Sequence, residues 1–286
     1  MTRQAIEGLY ANHADMQAVF DSLTDEEWKL QSACAGWRVQ EVLAHVTSNF
    51  KELADPAPPP PDSADAADTA DTEPGTEPGT EPGPAMVKAE EMVEALLLTR
   101  RAWSAKELMD EYSLVRDGAI EALAAMQEEP LASTEIPLAD LGTYPMHWLA
   151  NAYCFDHYCH LRHDTMTPLG PIARVLPDAD DIRIRPGIDW MIAGLPQMCA
   201  SALTGVDKPW VLELTGAGAG TWTVHPVGSN GFVTVTEGRD GGVATVTSTA
   251  HDFVSWGTQR SNWRLACNLS GDTDYIVGIL DAINII

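Results

Sequence analysis

Basic residues are scarce in this chain: 17 Lys and Arg stand against 42 Asp and Glu in 286 residues, a formal charge of −25. A phosphate backbone or an anionic headgroup would approach against that summed negative field, so neither nucleic acid nor a membrane surface is an expected partner. Long apolar runs are missing too. No stretch reaches the roughly 18 uninterrupted apolar residues that a bilayer span needs. The opening MTRQAIEGLYANHADMQ has neither an apolar segment nor a small-residue cleavage site, and the expected compartment is the cytoplasm. Cys34, Cys154, Cys159, Cys199 and Cys267 are odd in number and form no CxxC pair, which argues against a disulfide framework or a zinc ribbon. The glycine-rich GAGAG at 216–220 lacks GxGxxG spacing and starts no helix; it reads as a hairpin turn rather than a phosphate cradle.

What the chain does have is apolar material, 45% of its residues, enough for one large or two ordinary domains. From residue 4 to about 53 apolar positions recur every three or four residues. Ile6, Leu9, Tyr10, His13, Met16, Val19 and Phe20 trace one helical face, and Val39, Val42, Leu43, Val46 and Phe50 a second. These two helices form an αα-hairpin. Helical spacing returns from Met86 to about Leu98, with Met92, Leu96 and Leu97 inward. It returns again from Ser104, where Glu107 three residues on completes a capping box, to about Met126, and once more from about Tyr144 to His163. The sum is a helical bundle of four long helices, ending near Pro168.

Between the hairpin and the third helix, residues 55–85 lose all periodicity. They carry eight acids, no Lys or Arg, three TEPG units and nine of the nineteen prolines. Such a composition cannot bury enough apolar surface to offset the entropy of ordering, so a disordered acidic, Pro-rich surface insert is expected there. After residue 168 the period changes. TPLGPIARVLPDADDIRIRP reads as an interdomain segment and a helix follows from about Gly187 to Leu203. Four strand-like runs, WVLELTG, GTWTVHP, FVTVTEG and VATVTST, precede two helical stretches at about 251–259 and 273–283. The fold class is thus α plus α+β: a bundle at 1–168 followed by a smaller antiparallel-sheet α+β domain at 176–286.

The chemistry concentrates on histidines. His45 faces the bundle interior from the second helix. In CFDHYCHLRHD, Asp156, His160 and His163 fall within about 60° of one another at 100° per residue. An acid and an imidazole one turn apart, with a third ligand from a facing helix, can hold one divalent ion and leave a coordination position open. A solvated polar face beside a hydrogen-bonded buried histidine has the same spacing. His163 and Asp164 either orient His160 or end the helix, and Cys34 is either a reactive thiol or a small buried hydrophobe.

Ala33-Cys34-Ala35-Gly36-Trp37-Arg38-Val39 followed by Val42-Leu43-Ala44-His45-Val46 resembles the start of the metal-binding helix in the actinobacterial mycothiol-dependent maleylpyruvate isomerase family, within the DinB-like superfamily. Phe155-Asp156-His157-Tyr158-Cys159-His160, then Pro168-Leu169-Gly170, is similar to that family's acid-x-x-x-His segment. Asp252 to Arg260, Gly271-Asp272 and Leu280-Asp281-Ala282 resemble its sterol-carrier-like second domain. The resemblance spans nearly the whole chain outside the acidic insert. It implies a DinB-like four-helix bundle with metal ligands His45, Asp156 and His160, zinc being the favoured divalent transition metal, and mycothiol or another low-molecular-weight thiol as cofactor. It also implies Arg260 as a catalytic clamp on a carboxylate, the other reading being a surface arginine. Trp37, Trp256 and Trp263 either line the cofactor cleft, Trp37 and Trp256 being the favoured pair, or serve as packing residues. Two departures stand out: Asp156 is shorter than the family's glutamate, and LRHDTMT after His160 is one residue longer than the family's stretch.

The activity so implied is metal-dependent isomerisation or thiol transfer on a small anionic substrate, by a monomer or homodimer. The alternatives are a small-ligand carrier with a structural metal and a metal-dependent hydrolase on the same bundle.

Overall fold

The computed structural model describes residues 3–56 and 88–285. From residue 57 on, the acidic insert expected from the sequence lies outside the described residues. The helices are α1 (Arg3–Asp21), α2 (Val39–Ala54), α3 (Ala89–Leu98), α4 (Ala105–Ala125) and α5 (Leu149–Cys159). Here α1 packs on α4 and α5, and α2 on α4, so the first two helices do not pair as the αα-hairpin expected from the sequence. Within this half α1, α2, α4 and α5 pack as a bundle. The second-helix face is fully inward: Val39, Val42, Leu43, Val46 and Phe50 are all buried; Val39, Leu43 and Val46 share a cluster with Met16, Phe20, Leu108 and Tyr112, and Phe50 one with Val115. The Ser104 capping box is present in both directions. The Glu107 N–H donates to Ser104 Oγ at 3.3 Å and the Ser104 N–H to Glu107 Oε2 at 2.7 Å, pairing two donors left without intrahelical partners. Met92, expected inward, is 53% exposed.

Two helix starts differ from expectation. The last bundle helix begins at Leu149 rather than near Tyr144, because β1 (Glu135–Pro137) and β2 (Thr143–Pro145) form a small antiparallel hairpin closed through Gly142 at φ +118° and a 3-10 turn, Met146–Trp148, leads into α5. In the other direction, α6 (Asp181–Met198) begins six residues before Gly187 and absorbs the whole of DIRIRP. Asp180 caps it, its Oδ1 accepting the Arg183 N–H at 3.0 Å. Pro186 inside the helix has no N–H for the carbonyl of Ile182. Gly8 of α1 packs against that carbonyl so closely that a Cβ would sit 2.5 Å from it.

The sheet half holds β3 (Trp210–Thr215), β4 (Gly220–His225), β5 (Thr234–Glu237), β6 (Ala244–Thr249) and β7 (Asn268–Gly271), in the order β5-β4-β3-β6-β7. Three of its four ladders are antiparallel. At the centre, β3 and β6 run parallel in the register Trp210↔Ala244 to Thr215↔Thr249. The GAGAG run is the β3–β4 hairpin turn, with Gly216 at φ +80° and Gly218 at φ +76°, values that side chains with a Cβ rarely adopt. Helices α7 (Ala250–Gly257), α8 (Trp263–Ala266) and α9 (Thr273–Leu280) complete this half. Helix α6 packs on α1 and α5 on one side and on α7 on the other. One apolar core therefore runs from Tyr144, Phe155 and Tyr158 through Ile188 and Trp190 to Trp210, Val246 and Phe253.

Candidate metal centre

Helix α5 does not end where its α-helical hydrogen bonding ends. From His160 to Thr165 it continues as a π-helical turn, whose i→i+5 bonding accommodates one residue more than an α-turn. The extra residue noted after His160 falls on this turn. A uniform 100° step puts His163 on the face of Asp156 and His160. The wider turn instead brings Asp164 beside His160 and directs His163 away, where its ring lies 4.4 Å from that of His251.

On the site face, the side chains of His45, Asp156 and His160 converge. His45 Nε2 is 3.1 Å and His160 Nε2 is 3.2 Å from the same carboxylate atom, Asp156 Oδ1, and the two imidazole rings lie 4.9 Å apart, nearly perpendicular. Asp156 Oδ2 is buried with no hydrogen-bond partner among the described residues. The other nitrogen of His160, Nδ1, is 2.8 Å from Asp164 Oδ2. A fully buried carboxylate accepts, so Nδ1 carries the proton and Nε2 of a neutral His160 presents its lone pair toward Asp156. Two lone-pair atoms at 3.2 Å repel unless positive charge lies between them, either a second proton or a cation. Three nitrogen and oxygen donors within 4.8 Å of one another fit a divalent ion.

The titration directions show the same demand for positive charge. Burial alone would push the Asp156 carboxyl up, but the imidazoles of His45 and His160 hold it well below the usual carboxylate range. Burial would likewise depress His160, yet Asp156 and the hydrogen bonds to Asp156, Asp164 and Cys34 raise it well above an ordinary histidine. Asp164 is lowered too, because His160 and Arg260 outweigh its burial.

The remaining sequence candidates fall in different places. Trp37, in the loop before α2, lies over both imidazoles, with ring centroids 5.2 Å from His45 and 6.1 Å from His160. Cys34 Sγ is 3.9 Å from His160 Nδ1. Cys34, His160 and Asp164 form a second group of potential ligands. In that group Asp164 is already neutralised by Arg260, which donates from Nε to Oδ1 at 2.8 Å and from Nη2 to Oδ2 at 2.9 Å. Arg260 thus reaches the site from the sheet half through Asp164. Trp256 does not reach it: it is 2% exposed, stacks edge-on to Phe253 and donates its Nε1–H to Ser248 Oγ at 3.1 Å within the sheet-half core. Sequence spacing left Asp164 undecided, since its arginine lies 96 positions away.

Comparison with known proteins follows the same division of the chain. The family model described as the mycothiol maleylpyruvate isomerase N-terminal domain matches residues 9–161, from α1 to the start of the π-turn. A crystal structure of a mycothiol-dependent maleylpyruvate isomerase is similar over 93% of this chain and 91% of its own, with 16% identity and a TM-score of 0.54. A mutant form of such an enzyme gives the same coverage at 15% identity and a TM-score of 0.53. At these identities the likeness concerns the fold, helical half and sheet half together. Among curated proteins the chain finds no match. Among the described residues no helix is long and apolar enough to cross a membrane.

Proposed function

The chain belongs to the mycothiol maleylpyruvate isomerase N-terminal domain family, and from that premise we propose that it is a metal-dependent enzyme. It uses a low-molecular-weight thiol, mycothiol by family, for isomerisation or thiol transfer on a small anionic substrate. The observation that carries the reading is the convergence of two Nε2 atoms on Asp156 Oδ1, with one of them forced by Asp164 to present its lone pair. His45, Asp156 and His160 would hold the ion, and zinc suits this nitrogen and oxygen donor set. When bound, such an ion supplies the charge that lowers the pKa of a thiol or water at its open position.

The chain's own groups divide the remaining work. Asp164 keeps the His160 proton on Nδ1, so that Nε2 stays available as a donor atom. Asn49 Nδ2, 3.3 Å from His45 Nε2, gives that nitrogen a neighbour on its own helix. Trp37 covers both rings and keeps water off one side. With a divalent ion present, the ion and Arg260 outweigh Asp156 and Asp164 by one positive charge, a local field suited to an anionic substrate in a protein otherwise strongly acidic.

Metal analysis of the purified chain tests the reading. About one equivalent of a divalent transition metal is expected in the wild type, falling below about 0.2 in His160→Ala. A wild type without metal, or a content unchanged by the substitution, would sink it. Thiol use is tested separately, since mycothiol or an analogue should shift the d–d bands of the cobalt-substituted protein. An unchanged spectrum at saturating thiol would point to water at the open position.

A further inference from the structure

We propose that Arg260 is a positioning residue of the metal centre, through which the sheet half sets the affinity of the ion. The inference rests on the reading of His45, Asp156 and His160 as ligands, and on geometry outside that set. Two of the guanidinium's donors are spent on Asp164, Nε on Oδ1 at 2.8 Å and Nη2 on Oδ2 at 2.9 Å. This two-point pairing fixes the plane of the carboxylate as well as its position. The carboxylate is completely buried, and its Oδ2 also faces His160 Nδ1 at 2.8 Å. Asp164 therefore cannot turn without breaking one of three charge-assisted contacts, and His160 cannot turn without leaving Asp164.

The arginine is itself held by the sheet half. Its N–H donates to the Ser255 carbonyl at 2.9 Å at the end of α7. The preceding Gln259 sits at φ +56°, and its side-chain amide donates to the Ile283 carbonyl at 3.0 Å. From the other side, the Ala33 N–H donates to the Asp164 backbone carbonyl at 2.9 Å, tying the Trp37 loop to the same residue. A carboxylate behind a ligating histidine aligns the imidazole and raises its basicity as a ligand. Here that carboxylate is held by a residue from the opposite half of the chain. A substrate carboxylate could take the Nε–Nη2 edge only by displacing a buried charge partner, so only the Nη1 side of the guanidinium is left for the clamp role expected from the sequence resemblance.

Zinc affinity of the full chain, measured by chelator competition, tests this. Arg260→Ala is expected to bind zinc about 10–100-fold more weakly than wild type, with Arg260→Lys recovering part of the loss through a single contact. The d–d bands of the cobalt-loaded Arg260→Ala protein should shift even at saturating metal, because the geometry of His160 changes. Should Arg260→Ala leave Asp164 too strained to fold, the pair Arg260→Met with Asp164→Asn buries no lone charge. It should bind zinc no more weakly than Asp164→Asn alone. Zinc affinity within about 2-fold of wild type in Arg260→Ala or the pair, with unchanged cobalt bands, overturns the proposal. A wild type that binds no zinc overturns both this proposal and the functional reading, whereas unchanged affinity in the variants overturns this one alone.

Discussion

The helical half buries His13, His45, His157, His160, His163, Asp15 and Asp164 among its apolar side chains, whereas the sheet half buries Trp210, Leu212, Val224, Val246 and Phe253 with only the hydroxyls of Thr223, Ser248, Ser255 and Thr258 beside them. A buried charge or imidazole costs stability unless it is paired, while a buried apolar side chain contributes by leaving water. The difference teaches where each requirement is met: the sheet half is built for packing, and the helical half carries the costly groups, His45 and His160 of the candidate centre among them. Charge pairs also join the halves: Arg183 reaches Asp15 and Arg260 reaches Asp164, each arginine of the second half serving a buried carboxylate of the first.

If the division is sound, the largest effect comes from the sheet core. Leu212→Ala is expected to cost about 2–5 kcal/mol in denaturant unfolding while leaving metal content unchanged. A parallel loss of metal in the folded variant would show that the sheet core shapes the site by more than Arg260.

Acid should act next, and on the helical half. Burial lowers His13 and His163 to about 3, helped by His157 and His251 respectively, and lowers His157 to about 4 against the opposing pull of Asp156. Below the ordinary histidine value near 6.5 the unfolded chain takes up protons that these folded imidazoles refuse. Their contribution is therefore complete above that value and is lost as pH falls from about 6.5 toward 4, on the order of 1 kcal/mol per histidine by pH 5.5. His160, raised in the folded chain, contributes stability that is fully present below 6.5 and is lost only as pH climbs through its folded value. It adds no slope in this window. Unfolding free energies that stay flat between about pH 6.5 and 5.5 would mean the buried imidazoles are protonated in the folded state, and the contrast between the halves would fail.

The smallest effect is expected at Trp256→Phe, which removes the hydrogen bond to Ser248 and keeps most of the packing. It should cost about 1 kcal/mol and leave cobalt bands and thiol binding untouched. A changed thiol affinity would return Trp256 to the cofactor cleft, the role its sequence position suggested.

Much of the frame is readable in the sequence because it depends on local repetition. The inward face of α2, the capping box at Ser104, the hairpin turn at GAGAG and the four strand runs each declare themselves within a dozen residues. Helical spacing likewise puts Asp156 and His160 on one face, though with His163 beside them, and His45 joins them as a candidate set through the family resemblance. What is not readable depends on distant partners or on a change of period. The π-turn exchanges His163 for Asp164 at the site, the helical start at Asp181 is concealed by Pro186, and the parallel pairing of β3 with β6 joins strands separated by an entire hairpin. Asp164 looks like any acid near a helix end until Arg260 is placed beside it.

The 96-residue separation between Asp164 and Arg260 also imposes an order of events during synthesis. A nascent chain carries all three donor side chains well before the arginine that braces one of them has been made. Metal captured at that stage would rest on a looser histidine and exchange more readily. Only when the final strands and helices have been translated and packed does the pairing with Asp164 close, so under the proposed reading the growing polypeptide would hold an ion less firmly than the finished molecule.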